Sequence, residues 1–302
     1  MSCYGSMQEL VGGTPTVRLT HLGLPGDVEL FAKLELYNPA GSVKDRVGRY
    51  MIESAERNGE LKPGGTIVEA TAGNTGIGIA FAALNKGYHI IFVVPEKFSE
   101  EKQTLMRALG AEIVNTPREG GMQGAVRRAE ELRTGIPGSI SLEQFKNPAN
   151  PQAHYETTGP ELYRDLDGRI DYFVAGAGSG GTYTGVMRYL KEKNAGIWGI
   201  LADPVGSTMG GGEHGEYDIE GIGNDFVADT MDMSLVDRVI KVTDREAFEG
   251  SRELASREGI FAGSSSGAAL AAARKLIAIG AKGRIAVIFP DRGDRYFSKK
   301  LY

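Results

Sequence analysis

Apolar positions along the chain fall into two alternating patterns. Short runs rich in β-branched side chains occupy residues 66–69, 89–94, 112–115, 172–175, 197–202, 239–242 and 285–289. They are the length of a strand, and continuously apolar, as strands buried on both faces are. Between them lie longer stretches whose apolar residues recur at helical spacing, at 43–58, 74–85, 99–109, 121–133, 181–193, 245–259 and 266–279, several ending near a glycine. The alternation predicts an α/β protein built of mostly parallel, twisted sheets flanked by helices. In such a fold ligands bind beyond the C-terminal ends of strands. The segment N-P-A-N-P, 147–151, separates two α/β runs and is expected where the chain crosses between two lobes. No repeat of fixed period is present.

Composition narrows the picture. A chain of 302 residues, 41% hydrophobic, is long enough for one large domain or two. Its net charge of -5, from 34 basic and 39 acidic residues interspersed, provides no basic stripe for a nucleic-acid backbone. Cys3 is the single cysteine, which excludes an internal disulfide and a cysteine-built metal site and fits a reducing compartment. The N-terminus lacks the charged and apolar regions of a secretory signal, and no apolar stretch reaches about 18 residues, so a soluble, cytoplasmic protein without membrane contact is expected. The histidines, His21, His89, His154 and His214, lie far apart in sequence with no partner at ligand spacing, which gives no ground for a metal site or a catalytic triad.

The 43 glycines are about twice the usual share and gather beside apolar runs. A-G-A-G-S-G-G-T, 175–182, follows a strand and opens a helix, so its amides, with the Ser179 and Thr182 hydroxyls, would meet an anion at the positive end of a helix dipole. Tight strand-to-helix packing and a dinucleotide site are the alternatives. The second lacks a G-x-G-x-x-G in the first βα unit and a placed acidic residue. T-A-G-N-T-G, 71–76, joins a strand to a helix and would suit a carboxylate, or be a capped helix start. Lys44, in N-P-A-G-S-V-K-D-R, sits near a helix start, where the dipole favours the neutral amine needed for covalent catalysis; an ordinary solvated lysine remains the alternative on position alone. Ser265 in G-S-S-S-G-A is either an N-cap or a hydroxyl offered to a neutral acceptor.

Taken in order, these segments resemble the fold-type II pyridoxal-phosphate family of cysteine synthase and cystathionine β-synthase. The likeness begins at L-V-G-G-T-P-T-V-R-L (10–19). It runs through N-P-A-G-S-V-K-D-R, T-A-G-N-T-G, P-E-K-F-S-E-E-K (95–102), L-G-A-E-I-V-N-T-P (109–117), Q-F-K-N-P-A-N-P (144–151), G-S-G-G-T, E-G-I-G (220–223) and S-S-S-G-A to P-D-R-G-D-R-Y (290–296). P-E-K-F-S-E-E-K and E-G-I-G-N-D-F look more like the cystathionine β-synthase branch, and, with the first and last motifs close to the ends of the sequence, a short haem-free enzyme without regulatory domains is expected.

The resemblance implies a two-lobed fold of the tryptophan-synthase β type. A smaller, mobile lobe is expected over residues 37–140, and a larger cofactor-binding lobe over 1–36 and 141–302. It further implies a homodimer acting on small amino-acid and thiol substrates. Lys44 would carry pyridoxal 5′-phosphate and move protons, Asn74 would bond its 3-hydroxyl, Gly178, Ser179, Gly180, Gly181 and Thr182 would hold its phosphate, and Ser265 would face its ring nitrogen. Thr71, Gly73, Asn74, Thr75 and Gln144 match the carboxylate site; Ala72 stands where many relatives carry serine, so one hydroxyl is missing or comes from elsewhere. The activity implied is replacement of the β-substituent of serine, O-acetylserine or cysteine by a thiol, with sulfide release from cysteine as one outcome; cysteine synthase and a serine or threonine dehydratase are the alternatives. Glu220 and Asp225 bracket the Gly221 turn and are expected either to orient the second substrate or simply to be solvated.

Overall fold

The computed structural model describes residues 3–96, 98–299 and 301–302. Lys97 of the P-E-K-F-S-E-E-K motif lies outside the described residues. The strands are β1 (Thr16–Arg18), β2 (Val28–Leu34), β3 (Thr66–Ala70), β4 (His89–Pro95), β5 (Glu112–Thr116), β6 (Tyr172–Gly176), β7 (Trp198–Pro204), β8 (Arg238–Val242) and β9 (Gly283–Phe289). The helices are α1 (Lys44–Arg57), α2 (Asn74–Ala83), α3 (Glu100–Ala108), α4 (Gly121–Gly135), α5 (Ala149–Ala153), α6 (Gly159–Asp165), α7 (Gly181–Lys193), α8 (Asp244–Glu258) and α9 (Ser264–Ala278). The chain divides into two compact units, one from the N-terminus to Val11 with Lys44–Ala149, the other Gly12–Val43 with Asn150–Tyr302. These bounds differ from the expected 37 and 140, and the chain leaves the first unit inside N-P-A-N-P.

The first unit is built on a parallel sheet in the order β3-β4-β5, with Thr66 opposite His89 and Ile91 opposite Glu112. Residue Ile140 bridges to Ile67, its amide donating to the Thr66 carbonyl at 2.9 Å, so the segment after α4 continues the sheet edge. That pairing holds residues 140–149 in this unit, beyond the boundary the sequence suggested. Val68, Ile91 and Val93 bury one face against Ala125 and Ala129 of α4.

The second unit has strand order β1-β2-β9-β6-β7-β8, parallel throughout except for the antiparallel edge pair β1-β2. Successive residues of its central strands point to opposite faces, and both faces are covered. Val174 packs in one core with Ala247 and Leu254 of α8 and Leu270 of α9, while Phe173 packs in the other with Leu162 of α6 and Leu190 of α7. Burial on both faces explains why these strands read as unbroken apolar runs.

Two features were not anticipated. β1 and β2 escaped because T-V-R is short and V-E-L-F-A-K-L carries Glu29 and Lys33; yet Lys33 is fully buried, its ammonium donating to the Thr14 carbonyl at 2.6 Å and pairing with Asp165 and Glu161 at 3.0 Å. A buried, fully paired charge carries no apolar signal in sequence. Residues 149–165, expected as a linker and an unassigned stretch, are helical, with one π turn at His154–Thr158. Pro151 is tolerated there in the first turn of α5, and Pro160 just after the π turn, where the Gly159 amide reaches back to His154 O.

Candidate active site

In the second unit, β6 ends at Gly176 and α7 begins at Gly181 with Gly180 as its N-cap. Gly180 has φ +81°, a left-handed conformation that suits glycine, and a Cβ there would come within 2.7 Å of the Met231 Cα. No side chain caps α7, so its first amides have no acceptor from the helix itself. The loop carbonyls, by contrast, are taken up from outside. The Asn224 side-chain amide donates to Gly178 O at 2.6 Å, the Thr230 hydroxyl to Ser179 O at 2.5 Å and the Gly223 amide to Ala177 O at 2.8 Å. With these acceptors tied back, the loop's donors are what it can offer an anion. The Asn150 amide also donates to Ser179 Oγ at 2.9 Å, which leaves the serine's own hydrogen for another acceptor. Thr182 Oγ1 lies 3.1 Å from His154 Nε2, and His154 Nδ1 lies 2.9 Å from Thr158 Oγ1. The loop therefore fits a phosphate group, as the glycine pattern suggested.

Ser265 is buried in the first turn of α9, which starts at Ser264, two residues before the expected point, with Gly263 as its N-cap. The N-cap reading of Ser265 is thereby corrected. Ser264 Oγ accepts from the Glu220 amide at 3.1 Å. Below this turn, Tyr296 donates to Asp291 Oδ2, and burial together with that carboxylate pushes the phenol well up.

Glu220 and Asp225 bracket a turn in which Gly221 and Gly223 both take positive φ, +86° and +82°. Neither carboxylate is bare: Glu220 lies 3.7 Å from the Lys299 ammonium, and Asp225, exposed, is 2.9 Å from His214 Nδ1. The histidines, partnerless in sequence, each meet a polar side chain; His21 faces Glu258 at 3.3 Å and His89 faces Glu112 at 3.1 Å.

In the first unit, Lys44 opens α1. The helix crosses α2 glycine on glycine: a Cβ at Gly48 would fall 2.7 Å from the Ile79 amide nitrogen, and one at Gly78 2.6 Å from the Lys44 carbonyl carbon. β3 runs into Thr71, whose amide donates to Val93 O at 3.2 Å, and α2 begins at Asn74 with extended Gly73 as its N-cap. No side chain caps this helix either, and a Cβ on Gly73 would meet nothing within 4 Å. Thr71 and Thr75 are buried and Ala72, Gly73 and Asn74 half-buried. Thr75 Oγ1 donates to Gln144 Oε1 at 2.7 Å, which joins two residues far apart in sequence.

Asn150, Thr230, Asn224 and Glu69 escaped the sequence reading. Asn150 and Asn224 lay within quoted motifs, N-P-A-N-P and E-G-I-G-N-D-F, where a side-chain amide beside glycines was the available signal; Thr230 carried none.

A model of the family described as pyridoxal-phosphate dependent enzymes matches residues 7–291. The chain is 50% identical over 303 residues to an O-acetylserine dependent cystathionine β-synthase of Bacillus subtilis (strain 168), covering 100% of this chain and 99% of that one. It is 45% identical over 300 residues to a cysteine synthase of Helicobacter pylori (strain J99), 98% of each chain being covered. The crystal structure of an O-acetylserine dependent cystathionine β-synthase from Helicobacter pylori superimposes with TM-score 0.95 at 44% identity, over 100% of both chains.

Proposed function

Because the chain belongs to the family of pyridoxal-phosphate dependent enzymes, we propose that it is a cystathionine β-synthase that takes O-acetylserine as donor and homocysteine as thiol. When bound, pyridoxal 5′-phosphate draws electrons from the amino acid's Cα, so that the α-proton and then the β-substituent can leave. The tied-back carbonyls of residues 177–179 are the observation that supports the cofactor's phosphate site, because they leave the glycine loop its donors, and the choice of donor and thiol is supported by the 50% identity to an O-acetylserine dependent cystathionine β-synthase.

Gly178, Ser179, Gly180, Gly181 and Thr182 hold the phosphate, Asn74 the 3-hydroxyl, and Ser265 offers a neutral hydroxyl to the ring nitrogen. That neutrality keeps the ring a moderate electron sink and favours elimination and replacement over transamination. Lys44 would carry the cofactor, and its Nζ would take the proton from the substrate Cα and later return one. The amides of Ala72, Gly73, Asn74 and Thr75, with the Thr71 hydroxyl and the Gln144 side-chain amide that the Thr75 hydroxyl orients, bind the substrate carboxylate. Ala72 contributes no hydroxyl, so the bonded Thr75–Gln144 pair supplies the polar side of the site. Gly221 lets the turn approach the substrate, while Asp225, with Glu220, orients the second nucleophile. The protein works as a homodimer in the cytoplasm. A single exposed Cys3 supports that compartment, and no helix among the described residues is long and apolar enough to cross a membrane.

The test is product analysis by mass spectrometry after supplying O-acetylserine, serine or cysteine with homocysteine or sulfide. Cystathionine from O-acetylserine at the highest kcat/KM supports the proposal. Preferred formation of cysteine from sulfide selects the alternative, the activity named for the Helicobacter pylori (strain J99) cysteine synthase. Pyruvate alone would indicate a dehydratase.

A further inference from the structure

Glu69, on β3 one residue before the strand's end, sends its carboxylate across the unit to a single short segment. Oε1 accepts from the Ser141 hydroxyl at 3.0 Å, from the Leu142 amide, and from the Glu143 amide at 2.9 Å. The segment it grips is a tight turn. The Lys146 and Asn147 amides both donate to Glu143 O, at 2.8 and 2.9 Å, and the Asn147 side chain donates to Leu142 O at 2.8 Å. Glu143 itself has φ +46°, a left-handed conformation that a non-glycine residue adopts at a cost. The residue after it is Gln144, which receives the Thr75 hydrogen bond.

We infer that Glu69 is a positioning residue that holds the 141–143 turn in this backbone conformation and so sets Gln144 against Thr75 for recognition of the substrate carboxylate. The inference rests on the proposed carboxylate role of Gln144 and Thr75. A carboxylate suits the task because one charged oxygen can accept all three donors, whereas Glu69→Gln keeps an acceptor oxygen but removes the charge that strengthens the three bonds. The neighbouring strand supplies rigidity: β3 is fixed through β4 and through the Ile67–Ile140 bridge, so the grip is referred to the sheet and not to the loop.

The experiment compares the cofactor-loaded enzyme with Glu69→Gln, Gln144→Ala and the double variant, measuring KM and kcat for O-acetylserine and hydrogen exchange of the 141–144 amides. We expect Glu69→Gln to raise KM about tenfold with much less change in kcat, as loss of a charge-assisted hydrogen-bond set predicts. It should also speed exchange at Leu142 and Glu143, and the double variant should be no worse than Gln144→Ala, because the two act in series. Multiplying effects in the double variant, or unchanged exchange at 142–143, overturns the inference. If Gln144→Ala leaves KM unaltered, the carboxylate reading fails instead, and the exchange rates still decide whether Glu69 holds the turn. Ser141→Ala removes one of the three donors without touching the buried carboxylate; if Glu69→Gln folds poorly, a rise of about threefold in KM with this variant supports the same conclusion, and no rise opposes it.

Discussion

Gly78 of α2 presses its bare Cα against the carbonyl of Lys44, the residue that opens α1: a Cβ would fall 2.6 Å from the Lys44 carbonyl carbon and 3.1 Å from the Asp45 amide nitrogen. The start of α1 is thus located by backbone packing, where nothing flexible can give way. Replacing Gly78 with alanine should force the two helices apart and cost about 1–3 kcal/mol, as overpacking does. Thermal melting would show the loss. Cofactor absorbance per mole of protein should fall as well, because Lys44 moves with its helix.

Asn224→Ala removes the donor to Gly178 O and leaves a carbonyl free to face the phosphate. An unsatisfied acceptor in that position costs roughly 1–3 kcal/mol, so the dissociation constant for pyridoxal 5′-phosphate should rise about tenfold or more. Titrating cofactor into stripped protein measures it. An unchanged constant would mean that the tied-back carbonyls do not matter for affinity.

The Asp225–His214 contact at 2.9 Å places an exposed hydrogen-bonded pair on the turn. With homocysteine and sulfide competing, Asp225→Asn should alter the product ratio, and His214→Ala should shift it in the same direction by less. The same ratio in both variants would remove Asp225 from nucleophile selection.

Burial outweighs the three hydrogen bonds at Glu69 and lifts its carboxyl above the usual carboxylate range. A raised carboxyl pKa favours the protonated folded form, so this group's contribution to stability is full below about pH 4.5 and declines as pH rises through the folded value. Function runs the other way. KM for the amino acid should increase as pH falls through that value, as protonation weakens the grip on residues 141–143, and this acid limb should be absent from Glu69→Gln.

Tyr88 and Tyr302 are each pushed up to about 12, both first by burial, with Glu56 hydrogen-bonded beside Tyr88 and Asp291 adding to Tyr302. Each keeps its proton longer folded than unfolded, so their stabilisation is complete below pH 10 and disappears between 10 and 12. A spectrophotometric titration of the tyrosines should show a late class in that window. Tyr88→Phe should reduce both that class and the alkaline loss of Tm.

Local information carried the fold a long way. Helix α7 spans the residues that its period marked, and the strands from β3 to β9 lie where the β-branched runs stood, because helical and strand periods are set by neighbours a few residues apart. The glycine loops were legible for the same reason: a left-handed residue such as Gly180 must be glycine in the sequence before it can be one in the fold. The same locality hid β2, whose Lys33 reads as polar until Glu161 and Asp165, more than 120 residues away, are seen to neutralise it.

What the sequence determined, then, is the order of strands and helices, the donors offered by its glycine loops, and a family likeness spread over nearly the entire chain. Only the tertiary structure decided how those donors are kept free. The amide that restrains Gly178 comes from 46 residues away, the hydroxyl that restrains Ser179 from 51, and the turn gripped by Glu69 begins 72 residues downstream. Contacts at such separations depend on sheet order and helix packing, which no local period encodes; a single asparagine, threonine or glutamate reads as surface until the fold closes the loop and gives it a carbonyl or an amide to hold.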